Sequence, residues 1–203
     1  MEALKEKILN EGTAIGKDII KVDGFLNHQI DAKFLERIGR EFAARFADCR
    51  IDRILTVEAS GIAIAVGTAP FIGYPPVVFA KKATPNTMTD GQFEVQAKSF
   101  TKGTVSKLVV SEKYLKEGEN VLILDDFLAY GGASIALAEL VAKAGGNVVG
   151  IGAVIEKGFQ GGAEKLRSKG YRVESLAVIS GIEDGRILFE DEEEIKTEDK
   201  EDE

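Results

Sequence analysis

The chain has 203 residues, 44% of them hydrophobic and 30% charged, which suits one ordinary α/β domain with a small appendage. One cysteine and one histidine leave no internal disulfide or cysteine cluster, and they argue against a histidine-built metal site or a Ser-His-Asp triad. The net charge of −8 sits in Glu190–Glu203, with ten acids and two lysines; the other residues carry 24 acids and 24 bases, so no basic surface for nucleic acid is expected.

Glu2–Asn10 reads as an amphipathic helix that stops at Gly12. Met1–Gly12 is charged and has no apolar h-region, so no secretory leader is expected and the cytoplasm is the expected location. The single Cys49 is compatible with a reducing compartment. Asp31 can cap a second helix that runs to about Ala47. Phe34, Ile38, Phe42 and Phe46 recur on it at helical spacing, as a core-facing stripe does.

Further on, Arg53–Val57 is a short apolar strand, Glu58–Gly61 a small-residue turn and Ile62–Ile72 a helix. The uncharged run Ile62–Ala80 is broken by Gly67, Pro70, Gly73, Pro75 and Pro76, so a helix and a buried strand at Pro76–Ala80 are expected, not a membrane span. Val121–Leu124, Val148–Ile155 and Val173–Ile179 supply three more strands, with helices at Ser134–Ala144 and near Gly162–Lys169. Alternating strands and helices predict right-handed crossovers and an α/β, doubly wound, mostly parallel sheet with helices on both faces. Strands apolar along their whole length fit a sheet covered on both sides. Lys81–Gly118 breaks the rhythm, being long, polar and rich in Thr, Lys and Gly. Ser106–Glu112 alternates like a strand, so a mobile β-hairpin with its tip around Asn86–Gly91 is expected to serve as a lid. The acidic residues 190–203 read as a disordered, solvated tail.

The chemistry concentrates in Val121-Leu-Ile-Leu-Asp125-Asp126-Phe-Leu-Ala129-Tyr130-Gly131-Gly132-Ala133-Ser134. An apolar strand ends in two acids, and a small-residue loop then opens a helix. Gly131 and Gly132 admit close approach of a ligand to the backbone. Free amides and the positive dipole end at the helix start suit an anion, and Ser134 adds a hydroxyl. The acids would repel a phosphate but suit vicinal hydroxyls, which donate to carboxylates. A sugar phosphate satisfies both halves, with phosphate in Ala129–Ser134 and ribose hydroxyls on Asp125 and Asp126. Glu58, Ala59, Ser60 and Gly61 end a neighbouring strand, and their small residues and backbone amides would suit a second anionic group. Lys81 and Lys82 end another strand and could neutralise such an anion.

This run resembles the signature with which type I phosphoribosyltransferases bind 5-phosphoribosyl pyrophosphate (PRPP). Phe25-Leu-Asn27-His28-Gln29-Ile30-Asp31, Glu58-Ala-Ser-Gly61-Ile62, Val77-Val-Phe-Ala80, Val154-Ile-Glu-Lys157-Gly-Phe159-Gln160 and Gly170-Tyr-Arg-Val-Glu-Ser-Leu-Ala177 resemble the bacterial members that act on xanthine, in the same order. Tyr130 departs from the Asn usual in the loop, though its backbone amide remains, and Ile20 stands where Leu is usual. The resemblance implies the type I phosphoribosyltransferase fold, with residues 1–30 as a hood for the base and 31–189 as the core. It implies transfer of phosphoribose from Mg²⁺-bound PRPP to xanthine in purine salvage, by a homodimer, with no metal held by the protein alone. Asp125 and Asp126 would be catalytic, and Ile20, Asn27, Lys157 and Phe159 would contact the base. Lys157 can donate to a purine carbonyl and Phe159 can stack on the ring. Asn27 offers a donor and an acceptor for the second carbonyl.

Alternative readings are another purine phosphoribosyltransferase, for adenine or for hypoxanthine and guanine, a PRPP-sensing DNA-binding regulator, and a generic Rossmann domain. An exocyclic amine would not accept from Lys157, the chain before Arg53 is short for a DNA reader, and no G-x-G-x-x-G follows the first strand.

Overall fold

The structure is a computed structural model and describes residues 1–83, 91–99 and 104–190. Helix α1 (Glu2–Glu11) buries Leu4 and Ile8, one turn apart on the same face. Strands β1 (Thr13–Ile15) and β2 (Ile19–Lys21) form a short antiparallel ribbon. A wide turn, Asp23–Asn27, then leads to α2 (Ala32–Arg45), whose first turn is capped by Asp31 accepting the Phe34 amide at 3.0 Å. The Phe34, Ile38, Phe42 stripe faces the core as its spacing predicts.

The main sheet is built from β3 (Arg53–Val57), β4 (Val77–Ala80), β7 (Asn120–Leu128), β8 (Asn147–Lys157), β9 (Val173–Glu183) and β10 (Arg186–Phe189), in the order β10-β9-β8-β7-β3-β4. Five strands are parallel, and β10 turns back antiparallel on β9. Successive β3 residues enter opposite cores. Ile54 packs with α1, α2 and α3 (Ser60–Thr68), whereas Leu55 packs with α4 (Gly132–Lys143) and α5 (Gly162–Ser168). That alternation places helices on both faces. The N-terminal ribbon shares the first core, because Ile20, Val22, Phe25 and Leu26 are buried there with Phe34 and Phe189.

Four departures from the sequence reading have physical causes. First, β7 continues past Leu124 to Leu128, because Phe127 and Leu128 extend the ladder with Ile155 and Glu156. Second, the expected helix over 62–72 begins at Ser60 and passes into a 3₁₀ turn at Ala69–Phe71, around Pro70. Third, the β1–β2 ribbon and β10 were not expected, since strands of three or four residues carry too little pattern. Fourth, the hairpin of β5 (Gln92–Ser99) and β6 (Thr104–Ser111) pairs Ser99 with Thr104. The tip expected around Asn86–Gly91 precedes the first paired residue, Gln92. Residues 84–90 and 100–103 lie outside the described residues, as does the tail from 191. The hairpin is tied down: Lys81 and Val109 exchange two backbone bonds of 2.9 Å, and Val95, Leu108 and Val110 are buried in the core of α4.

Candidate active site

The chain leaves β3 towards β4 on one side and leaves β7 towards β8 on the other. Adjacent strands with diverging connections define the switch point, where open α/β sheets bind ligands beyond the carboxyl ends. Pairing between β3 and β7 stops at Leu55 and Ile123. Beyond it the two strands part, and Asp125, Asp126 and Glu58–Gly61 meet across the opening.

The two acids have different surroundings. Asp125 is buried, 6% exposed, with Oδ1 accepting the Asp126 amide at 3.0 Å. Burial, with the Asp126 charge beside it, pushes its carboxyl well above the usual carboxylate range. Asp126 is half-buried at the mouth. Its Oδ2 accepts the Ser60 hydroxyl at 2.7 Å and also the Asn27 side-chain amide. Asp126 is thus the outward acid and Asp125 the one beneath it.

The loop after β7 has the predicted shape. Gly131 adopts φ 76°, which favours glycine, and caps α4 as its carbonyl accepts the Ile135 amide at 2.9 Å. The loop is backed by Gly162 at the start of α5, where a Cβ would stand 2.1 Å from the Ala129 carbonyl oxygen and 2.7 Å from the Gly131 nitrogen. Any other residue at position 162 would push the loop outward. Ser134 is buried and Tyr130 is 38% exposed.

The turn after β3 is packed against the acids. A Cβ on Gly61 would lie 2.1 Å from Thr56 Oγ1 and 3.1 Å from Asp125 Oδ1. The Glu58–Ala59 peptide is cis. The Glu58 carboxylate accepts the Lys82 backbone amide at 2.7 Å, so it holds the end of β4 to the turn. Lys82 faces the acids closely enough that its charge opposes the rise of the Asp125 pKa. Lys81 instead reaches over the Phe79 ring, 5.8 Å from its centre.

The N-terminal segment closes the opposite side. Asn27 reaches Asp126, while Lys157 at the end of β8 donates to the Asp18 carbonyl at 2.6 Å. Lys157 also stands 5.8 Å from the centre of the Phe127 ring, and burial lowers its pKa. Phe159, two residues beyond Lys157 in a 3₁₀ turn, is 40% exposed. Ile20 is buried in the first core.

Among the candidates, Asn27, Ser60, Gly61, Asp125 and Asp126 are in direct mutual reach. Lys157 joins the site through the ribbon, and Lys81 turns away. Sequence reasoning missed Thr56, Gly162 and Asp18. Thr56 and Gly162 act through close packing and Asp18 through a backbone carbonyl, none of which leaves a mark in residue type. Phe127 was legible in principle, since it follows the two acids directly.

A glycine loop at a helix start, two acids at the switch point and a second backbone turn facing them define a phosphoribosyl-binding α/β domain. The chain belongs to the phosphoribosyl transferase domain family, which it matches over residues 27–183. It is 50% identical to a xanthine phosphoribosyltransferase of Clostridioides difficile over 189 residues, 93% of this chain and all of that protein. It is 51% identical to xanthine phosphoribosyltransferase 1 of Clostridium perfringens, again over 93% of this chain and all of that protein. Among solved structures it is similar to an adenine phosphoribosyltransferase from Thermoanaerobacter pseudethanolicus, with TM-score 0.65 and 28% identity over 74% of this chain and 86% of the other. One from Rhodothermus marinus has TM-score 0.70 at 19% identity, covering 88% of this chain and all of the other, a likeness of fold.

Proposed function

We propose that this protein is a xanthine phosphoribosyltransferase: it transfers 5-phosphoribose from PRPP to xanthine, giving xanthosine 5′-monophosphate and pyrophosphate. The observation that carries the reading is the switch point, where Asp125–Asp126 and the loop Ala129–Ser134 face Glu58–Gly61. The near-complete coverage of relatives named xanthine phosphoribosyltransferases, at about half identity, supports the choice of base.

In this mechanism no protein nucleophile is needed. The C1–O bond to pyrophosphate breaks, and the leaving group keeps the electron pair. A purine ring nitrogen forms the new bond to C1 and gives up its proton to the departing pyrophosphate. The protein contributes position and electrostatics. Amides of Ala129–Ser134 hold the 5-phosphate, and Asp126 grips the ribose diol. Asp126 lends negative potential beneath the developing cation at C1, with Asp125 positioned beneath it by its hydrogen bond to the Asp126 amide. The turn Glu58–Gly61 and Lys82 receive pyrophosphate. Lys157 and Asn27 address the base carbonyls, with Phe159 against the ring and Ile20 beside it.

No group of three or more His, Cys, Asp or Glu side chains that could hold a metal occurs among the described residues. A carboxylate beside phosphate oxygens is nonetheless a donor set that Mg²⁺ accepts. Mg²⁺ carried by PRPP therefore fits, and Asp126 would help to hold it. When bound, it would spread the charge of the pyrophosphate.

Two copies are further proposed to pair, with Lys81 reaching a partner's site. Exposed Val66, Tyr74 and Phe79 around β4 support this. No helix among the described residues is long and apolar enough to cross a membrane, and a cytoplasmic location is proposed.

The test is purified protein with PRPP, Mg²⁺ and each purine in turn, with pyrophosphate release followed. Xanthine should react fastest. Faster release with guanine, hypoxanthine or adenine overturns the base assignment, and no release with any purine overturns the reaction.

A further inference from the structure

Two hydrogen bonds tie the N-terminal segment to the site beyond its packing in the first core, and each occupies a side chain that a substrate needs. Asn27 Nδ2 donates to Asp126 Oδ2 across 99 residues of chain, and Lys157 Nζ donates to the Asp18 carbonyl across 139. The Ser60 hydroxyl donates to the same Asp126 oxygen. A carboxylate oxygen with two donors has both lone pairs engaged. A ribose diol that binds across the carboxylate edge needs that oxygen as well as its neighbour, so one donor must leave. Ser60 is the first residue of α3 and is fixed by the helix. Asn27 is exposed at the end of a single turn and moves at less cost.

We propose that Asn27 couples the two substrates: the PRPP diol displaces its amide from Asp126, and the freed carboxamide then meets the base. This rests on the functional reading above and deepens it. Without PRPP, the amide that should recognise xanthine is engaged on the acid that should hold the ribose. Binding free energies are reciprocal, so what PRPP does for xanthine, xanthine does for PRPP. The device makes an unusual demand on sign. A residue that only touched the base would leave PRPP affinity unchanged when altered, and one that only held the segment in place would weaken it. A competitor for Asp126 must strengthen PRPP binding when it is removed.

The experiment is calorimetry of Mg²⁺-PRPP binding to the base-free protein, wild type against Asn27→Leu, which cannot donate. The exposed position makes the fold tolerant, and thermal melting checks this; Asn27→Ala serves as a second variant. Both variants should bind PRPP about three- to tenfold more tightly, the scale of one partly solvated hydrogen bond to a carboxylate. Wild-type protein should bind xanthine at least tenfold better with a non-reacting PRPP analogue present, and the variants should lose that enhancement. If wild-type protein binds no PRPP, the functional reading itself fails. If it binds PRPP and both variants bind equally or more weakly, the coupling is wrong while the function stands. Equal xanthine affinity with and without the analogue in wild type overturns the coupling as well.

Discussion

The Glu58 carboxylate accepts the backbone amide of Lys82 at 2.7 Å and so ties the turn after β3 to the residues that leave β4. The contact sets the position of a basic side chain without using that side chain. Glu58→Ala should leave Lys82 in place chemically but not spatially, and the PRPP KM should rise about three- to tenfold, one exposed charge-assisted bond. Glu58→Gln keeps a carbonyl acceptor and should stay near wild type. Steady-state kinetics at saturating xanthine separate the two. A kcat loss with unchanged PRPP KM would mean that Glu58 acts on the chemical step instead.

Asp125 allows a prediction about pH. Burial and the Asp126 charge raise its folded pKa well above the ordinary range, whereas in the unfolded chain it titrates near 3.9. The native state therefore holds a proton that the unfolded state has released. Stability from this group is full below about pH 3.9 and is lost as pH rises through the folded value. Asp125→Asn carries no charge and retains an oxygen for the Asp126 amide. It should melt higher than wild type at pH 8, and the gap should narrow towards pH 4. A gain of about 1 kcal/mol corresponds to about 2–4 °C in a chain of this size. Calorimetric melting temperatures from pH 4 to 8 check the sign, and a variant that melts lower at pH 8 would show Asp125 to be stabilising as a carboxylate.

The sequence disclosed the sheet more fully than it disclosed the site. Arg53–Val57 is bounded by charge on both sides and appears with the predicted limits, and the Phe34, Ile38, Phe42 stripe is buried as its spacing requires. Strand β7 was read as ending at the acids, since adjacent charges normally mark a strand end. The ladder with β8 carries it through them, and no local pattern reports a ladder. At the site, Asp125 and Asp126 were visible as a pair, but their division into a buried and an outward acid depends on Thr56, Gly61 and Asn27. Those residues come from two stretches of chain, the N-terminal turn and the β3–α3 junction. The sequence names the groups; only the fold decides which of them compete.

Gly61 is one of the two closest-packed points of the site, with Gly162. A Cβ on Gly61 would stand 2.1 Å from Thr56 Oγ1, and Thr56 is wholly buried. Gly61→Ala must displace either Thr56 or the start of α3, which carries Ser60. A stability loss of about 1–3 kcal/mol is expected, the ordinary cost of overpacking. Activity should fall further, because Ser60 and Asp125 move together. Thr56→Ala removes the clashing oxygen, which has no hydrogen-bond partner in the structure. The double variant should therefore recover part of the stability lost by Gly61→Ala. Chemical denaturation of the four proteins gives the coupling energy. Strict additivity would show that the clash is relieved elsewhere.

Lys157 combines a lowered pKa with a contact to the N-terminal ribbon. Burial disfavours its ammonium, and the lysine gives up its proton below the ordinary value of about 10.4. Its proposed role towards xanthine needs the charged form, which would donate to a ring carbonyl. As pH rises through the folded pKa the donor weakens, so kcat/KM for xanthine should fall on the alkaline side earlier than a normal lysine would allow. Lys157→Arg holds its charge throughout this range but presents a planar fork in place of a compact ammonium. Its xanthine activity should be low, and its alkaline limb should be absent or displaced upward. Lys157→Met should lose about ten- to a hundredfold in kcat/KM for xanthine, the value of one charged hydrogen bond, while the KM for PRPP changes little. A pH profile of the three proteins decides the matter. An alkaline limb in Lys157→Met matching that of wild type would assign the titration to another group, and the ammonium would then serve only to hold Asp18.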